Sequence, residues 1–307
     1  MWFETDTFPA PGSWVRSRAL TRLRVAMAEE RRRRRIWRRR RRLVVAVAAI
    51  VLTIGIAPPG LDGEVQPLLG LADALATSPS SQQPAARHWY TRSVTRELVS
   101  VPVVIADGMP IQFLVESVEE TWHDAGDVPR RTKTFGDTVF LSSEDEDAFY
   151  ASGLALRYRP GRTVELPVSG EFYIARQLED ATAEELGSVL RRRVAGLGDR
   201  RMEEVHLLRL TADIIGLHAD DVAVRAKVLR VIADIPGIRV LPYGRSVVVA
   251  IDYVDGDRPL RLMYEFDADT AHLVGEYLAA LATQSEPATV LRSARHAFPT
   301  PVGFSES

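Results

Sequence analysis

Apolar positions change their spacing three times along this chain, and each stretch between changes predicts its own kind of element. Leu43–Leu61 (LVVAVAAIVLTIGIAPPGL) is an uncharged run. A helix of that length rises ~28 Å, close to one hydrocarbon core. The run therefore predicts a single N-terminal transmembrane helix, with Pro58-Pro59-Gly60 at its outer interface, where a helix would break. His88–Val99 (HWYTRSVTRELV), Met109–Trp122 and Arg131–Leu141 are rich in β-branched and aromatic residues and read as strands. Phe113 and Val115 share one face of the second, with Leu114, Val118 and Trp122 on the other. Glu171–Gln177 (EFYIARQ) reads as a further short strand.

The spacing then becomes helical. Leu186, Val189, Leu190, Val194 and Leu197 mark one amphipathic helix, opened by a capping box at Thr182-Ala-Glu-Glu185. Leu207, Leu210, Ile214 and Leu217 mark a second. Ala226, Leu229, Ile232 and Ile235 mark a third, stopped by Pro236-Gly237. Strand patterns return at Ile238–Leu241, Ser246–Tyr253, Leu260–Phe266, Leu273–Ala282 and Thr289–Phe298. Asp255-Gly256 supplies a hairpin turn. Within Leu260–Phe266 the alternation is strict: Leu260, Leu262, Tyr264 and Phe266 inward, Arg261, Met263 and Glu265 outward. Such alternation belongs to an antiparallel sheet with one buried face.

Strands, then helices, then strands define an α+β domain, a curved antiparallel sheet packed against about three helices. The expected organisation is a basic segment over 1–42, the membrane helix over 43–61, a linker over 62–86 and the folded domain over 87–307. Asp62–Ala76 offers one or two helical turns, and Thr77–Ala86 (TSPSSQQPAA) is Pro/Ser-rich. Ala19–Ala28, with Leu20, Leu23 and Met27, reads either as a surface-seeking amphipathic helix or as a tail.

Charge sharpens this division. Residues 1–42 carry a net +10 and the remainder −12. Ten arginines, Arg31, Arg32, Arg33, Arg34, Arg35, Arg38, Arg39, Arg40, Arg41 and Arg42, directly precede the apolar run. Lys/Arg excess places its side in the cytoplasm, so the expected location is the plasma membrane, single-pass, with residues 62–307 outside. The same arginines attract anionic lipid headgroups by ~1 kcal/mol each near the surface. They could also meet phosphate, but the acidic remainder repels nucleic acid, which is not an expected partner. A cleaved export signal is the alternative, since Leu43–Ala57 suits an h-region and Arg40-Arg41-Arg42-Leu43-Val44 loosely matches a twin-arginine signal. Ala74-Leu75-Ala76 lies far from the run for a cleavage site. The chain has no cysteine, so disulfides, thiol catalysis and zinc–thiolate sites are excluded and the core alone must hold the domain together.

Candidate chemistry is sparse. There is no GxSxG elbow, no GxxxxGK[ST] loop and no HExxH motif. The six histidines, His88, His123, His206, His218, His272 and His296, lie far apart in sequence. In His218-Ala-Asp-Asp221 an aspartate suits a helix N-cap. Glu144-Asp-Glu-Asp147 lacks the register of a calcium loop and reads as a solvated loop. Asp267-Ala-Asp269-Thr270 reads as a turn. No residue is assigned as catalytic, cofactor-binding or metal-ligating.

Trp89–Ser93 (WYTRS), Val228–Leu241 (VLRVIADIPGIRVL) and Tyr264–Glu276 (YEFDADTAHLVGE), with the arginine run, resemble a group of uncharacterised actinobacterial membrane proteins often encoded beside extracytoplasmic-function sigma factors. The resemblance covers most of residues 31–300 and rests on structural motifs. Ala271-His272 stands where the group more usually has Gly-Arg. The outer domain of that group is similar in outline to the lipoprotein-carrier (LolA-like) fold, an analogy that does not transfer lipid carriage. The expected function is a membrane-anchored, non-catalytic binding or sensing module of the cell envelope, meeting a lipid or an envelope protein. The alternatives are a carrier of lipid or lipoprotein, a regulator of a sigma factor through the basic segment, and an enzyme with a dispersed site.

Overall fold

A computed structural model describes residues 65–78, 88–102, 110–124, 128–167, 180–218, 221–283 and 288–301, all within the compact unit Ala57–Ser307. In chain order the elements are α1 (Gln66–Thr77), β1 (His88–Val101), β2 (Ile111–Asp124), β3 (Arg130–Phe140), α2 (Ser143–Ala151), α3 (Leu154–Arg157), β4 (Thr163–Leu166), α4 (Ala183–Ala195), α5 (Glu203–Leu217), α6 (Val222–Ala233), β5 (Ile238–Tyr243), β6 (Ser246–Asp255), β7 (Arg258–Asp267), β8 (Leu273–Ala280), β9 (Thr289–His296) and β10 (Thr300–Pro301). The strands form one open antiparallel sheet in the order β4-β3-β2-β1-β9-β8-β7-β6-β5, with β10 paired to the start of β1. The α+β class stands. Pairing of β9 with β1 is the long-range step: it joins the two meanders into one sheet.

The membrane-helix part of the expected fold is corrected. Among the described residues no helix is long and apolar enough to cross a membrane. The longest, α5, has 15 residues and rises only ~22 Å. Leu43–Leu61, the basic segment and Glu171–Gln177 lie outside the described residues.

The helical layer holds four helices rather than about three. Leu68, Leu71, Ala72 and Leu75 of α1 are buried at i, i+3, i+4 and i+7 and join one cluster with Leu190, Leu208, Ile214, Leu229 and Ile232. Asp62–Ala76, read as one or two helical turns within the linker over 62–86, thus contributes most of a core helix. Its Asp73 receives a 2.8 Å ion pair from Arg230 of α6. The capping box of α4 forms as read: Thr182 Oγ1 accepts from the Glu185 amide at 3.2 Å, and the Glu185 carboxylate accepts from the Thr182 amide at 2.8 Å. The sheet meets this layer through Ile238, Val240, Val247, Val249, Ile251, Leu262, Tyr264 and Phe266.

Two further differences concern faces. Arg261, Met263 and Glu265 of β7, expected outward, are buried as well. Arg261 is held by Asp252, with its Nε donating at 2.6 Å, and Glu265 accepts from Tyr277 at 3.0 Å and Arg295 at 2.7 Å. Buried ionic groups persist when each finds such a partner. At the far end of the sheet, Phe113, Phe140, Phe149 and Tyr158 form a second, aromatic cluster with Ile111 and Val115. Edge contacts such as Phe113–Phe149, with centroids 4.9 Å apart, build it.

Candidate functional site: a polar band on the helix-bearing face

Strand register shows which side chains share the helix-bearing face, because directly opposed residues of an antiparallel pair point the same way. Tyr264, which lies in the core beneath the helices, opposes Glu276 of β8. Glu276 opposes Ala294, Ala294 opposes Thr95, and Thr95 opposes Ser117. The rung on one side reads Leu278, Arg292, Glu97, Val115 and Thr138. The rung on the other reads His296, Ser93, Glu119 and Lys133. Ala294, Thr95 and Ser117, each 2 % exposed, thus form a floor of small side chains across β9, β1 and β2. Charged residues from both neighbouring rungs rim that floor. The aliphatic core ends on one side of this band and the aromatic cluster begins on the other.

The ionic groups on the rim interact across the floor. Arg292 Nη1 lies 3.2 Å from the Glu276 carboxylate. Glu119 receives Lys133 at 3.2 Å and Arg131 at 3.8 Å. Burial raises the Glu276 pKa above the ordinary carboxyl value; Arg292 and Arg209 oppose the shift, and the nearby Glu119 and Glu97 add to it. The Arg292 pKa is nevertheless raised. Burial works against its charge, but Glu276, Glu97, Glu119 and Tyr264 together outweigh that cost. Helix α5 contributes from above: charges on Arg209 and Asp213 act on Tyr264, whose burial drives its phenol well above the ordinary value.

His296 closes one end of the band. Burial lowers its pKa to about 4, partly countered by Glu119, so the ring is neutral. Its Nε2 is sealed from solvent and has no hydrogen-bond partner among the described residues; Arg292 Nε and Thr138 Oγ1 share that state. Sealed polar atoms without partners cost ~1–3 kcal/mol each and call for an explanation. Further along, Trp89 stacks on His123 with ring centroids 3.5 Å apart. Burial lowers the His123 pKa to about 3, aided by the nearby His218 and Arg131. The fold thus brings His123 and His218 together from positions far apart in sequence.

The residues singled out in the sequence fall elsewhere. Asp221 is the N-cap of α6, its Oδ1 accepting from the Val224 amide at 2.9 Å. Asp267 Oδ1 accepts from the amides of Asp269 and Thr270 and from the Thr270 hydroxyl, so that segment is a turn. Glu144–Asp147 is not a loop: it lies in the first turn of α2, behind the Ser142 N-cap, where carboxylates meet the positive end of the helix dipole. Asp145 also accepts from the Gln112 amide at 2.8 Å. The ten arginines lie outside the described residues, and among the described residues no three His, Asp or Glu group so as to hold a metal. The band itself escaped sequence reading because its members are spread over β8, β9, β1 and β2. Extending the Phe113/Val115 face by twos reaches Ser117 and Glu119, but only the β9–β1 pairing adds Arg292 and His296.

No family model matches the chain, and no curated protein matches it.

One rung, His296–Ser93–Glu119, has the composition of a nucleophilic triad. Such a triad needs its histidine nitrogen bonded to the hydroxyl. Among the described residues His296 Nε2 makes no hydrogen bond, and the carboxylate is engaged by Lys133 and Arg131 instead. What the band offers is a set of fixed charges and hydrogen-bonding atoms over a floor of small residues.

Proposed function

We propose that this α+β domain is a non-catalytic binding module whose ligand is a compact, charged molecule received on the polar band. The observation that carries the reading is the convergence of Glu97, Glu119, Glu276 and Arg292 over Ala294, Thr95 and Ser117, which strand register and ion pairs bring together. The ion pairs of the band are partly exposed, with 37 % of the Arg292 side chain accessible, and such pairs contribute little to stability. A charged band flanked by two apolar clusters is thus better accounted for by recognition than by stability. An acyl chain laid across it would bury these charges against hydrocarbon, an expensive arrangement. The arginines Arg31–Arg42 add a second partner of different chemistry, an anionic lipid surface, at ~1 kcal/mol for each residue near it.

The test is thermal unfolding of the full chain with a set of small charged ligands and, separately, with medium-chain fatty acids. A charged ligand that binds the band should raise the midpoint with the logarithm of its concentration. The rise should be lost in Glu119→Gln. Stabilisation by fatty acids alone would favour the lipid-carrier reading instead.

A further inference from the structure

We infer that the lobe formed by α2 and α3 is a self-association surface, through which two copies of this chain meet about a two-fold axis. Leu141, Tyr150 and Leu156 of this lobe are 56, 61 and 79 % exposed. Tyr150 stands against Phe140 with ring centroids 6.1 Å apart, and Leu141 is the residue that follows Phe140. Gly153, at φ 77°, turns the chain between the two helices. The Gly153 amide donates to the Tyr150 carbonyl at 3.4 Å, and the Leu156 amide to the Gly153 carbonyl at 3.1 Å, so Leu156 returns toward Tyr150. The inner side of the lobe is already occupied, because Phe149, Leu154, Ala155 and Tyr158 pack in the aromatic cluster. Large apolar side chains left outside such a packed lobe mark a contact surface.

Charge decides what that surface meets. Glu144, Glu146 and Asp147 of α2 are exposed ahead of the apolar residues, and Arg157, Arg159 and Arg162 are exposed after them. Among the described residues none of these six forms an ion pair, although Arg130, Arg191, Arg230 and Arg239 each find a carboxylate. The arginine flank is held in place: Arg162 Nη1 donates to the Arg157 carbonyl at 2.6 Å, and Arg157 lies over the Tyr158 ring. The lobe thus runs acid, apolar, base, with three unpaired charges of each sign. A two-fold interface joins a patch to itself, so it requires one that is self-complementary. Turning a second copy about such an axis lays each acidic flank on an arginine flank, with the apolar residues between. Apolar and aromatic groups inside a charged rim are the ordinary composition of such a contact. The opposed charges set register and orientation more than affinity. Three large apolar residues at the centre suit a transient dimer. An anionic lipid surface would attract the arginines but repel the three carboxylates.

The experiment uses the absence of cysteine: a single fluorophore at Ala151→Cys, exposed at the end of α2, reports on this lobe alone. Full chain carrying a donor is mixed with full chain carrying an acceptor, and energy transfer is followed against concentration. Labels at Val254→Cys, at the end of the sheet away from α2, serve as the comparison. Transfer should rise with concentration and be stronger from position 151 than from position 254. One variant reverses the arginines (Arg157→Glu, Arg159→Glu, Arg162→Glu) and another the carboxylates (Glu144→Arg, Glu146→Arg, Asp147→Arg). Each alone should associate about tenfold more weakly than the parent, and an equal mixture of the two should recover the parent's association. Leu156→Ser, at a side chain too exposed to matter for folding, should weaken association while leaving the unfolding midpoint in place. Equal transfer from both label positions, parent-like association of either reversed variant, or a mixture that fails to recover would each overturn the inference. Transfer that appears only on phosphatidylglycerol vesicles would overturn it as well and assign the lobe to a lipid surface.

Discussion

At the scale of single residues, the buried histidines make stability depend on pH. His296 and His272 are held at about 4 and His123 at about 3, in each case chiefly by burial. A histidine kept neutral in the fold binds fewer protons than in the unfolded chain below pH 6.5. Its contribution is intact above pH 6.5 and is lost as pH falls toward the folded value, at ~1.4 kcal/mol per pH unit for each group. Glu276 has the opposite sign, because its pKa is raised: its contribution is greatest in acid and fades as pH rises through the folded value. Three histidines outweigh one carboxyl, so the urea midpoint should fall steeply between pH 6.5 and 4. His296→Asn should make that slope shallower by about one histidine's share. An unchanged slope in the variant would show that His296 is not the buried neutral group described.

Ala271 gives a second prediction at this scale. It adopts φ 55° while fully buried, the one non-glycine residue with positive φ among those described. A left-handed alanine costs ~1–2 kcal/mol. A β-branched residue pays more there and also overpacks the site. Ala271→Val should therefore cost ~2–4 kcal/mol in chemical denaturation. Ala271→Gly should stay within ~1 kcal/mol of the parent, because lost strain offsets a lost buried methyl.

At the scale of elements, most of the secondary structure was legible in the sequence. Capping box, apolar spacing and Pro236-Gly237 mark α4, α5 and α6, since the signals of an amphipathic helix are local. The hairpin at Asp255-Gly256 was equally plain, with Gly256 at φ 63°. Helix α1 was underestimated because Val65 offers no side-chain N-cap and Gly70 weakens its intrinsic propensity, so its stability comes from packing against α6. Helix α2 was missed since acidic residues hide a single buried anchor, Phe149, whose ring partners Phe113 and Phe140 belong to β2 and β3. The same logic predicts that α1 is part of the folding unit. Leu68→Ala should lower stability by ~2–5 kcal/mol, as much as Leu229→Ala in α6. A change below ~1 kcal/mol, read from the denaturant midpoint, would return α1 to the linker.

At the scale of the whole molecule, what sequence could not supply was the pairing of β9 with β1. Each strand alone shows alternation, but only their register sets Arg292 beside Glu97 and His296 beside Ser93. The proposed binding role depends on that long-range step, so the band has no local sequence signature. The central claim is that the polar band, and neither apolar cluster, receives the ligand. The most direct measurement is a map of amide chemical shifts over the full chain during titration with a mixture of small carboxylates, amines and amino acids, then separately with octanoate. The account predicts shifts centred on Glu97, Glu119, Glu276 and Arg292 with the charged mixture, and little change with octanoate. Shifts centred on Phe113, Phe140 and Phe149 with octanoate, and none in the band with the charged mixture, would contradict it.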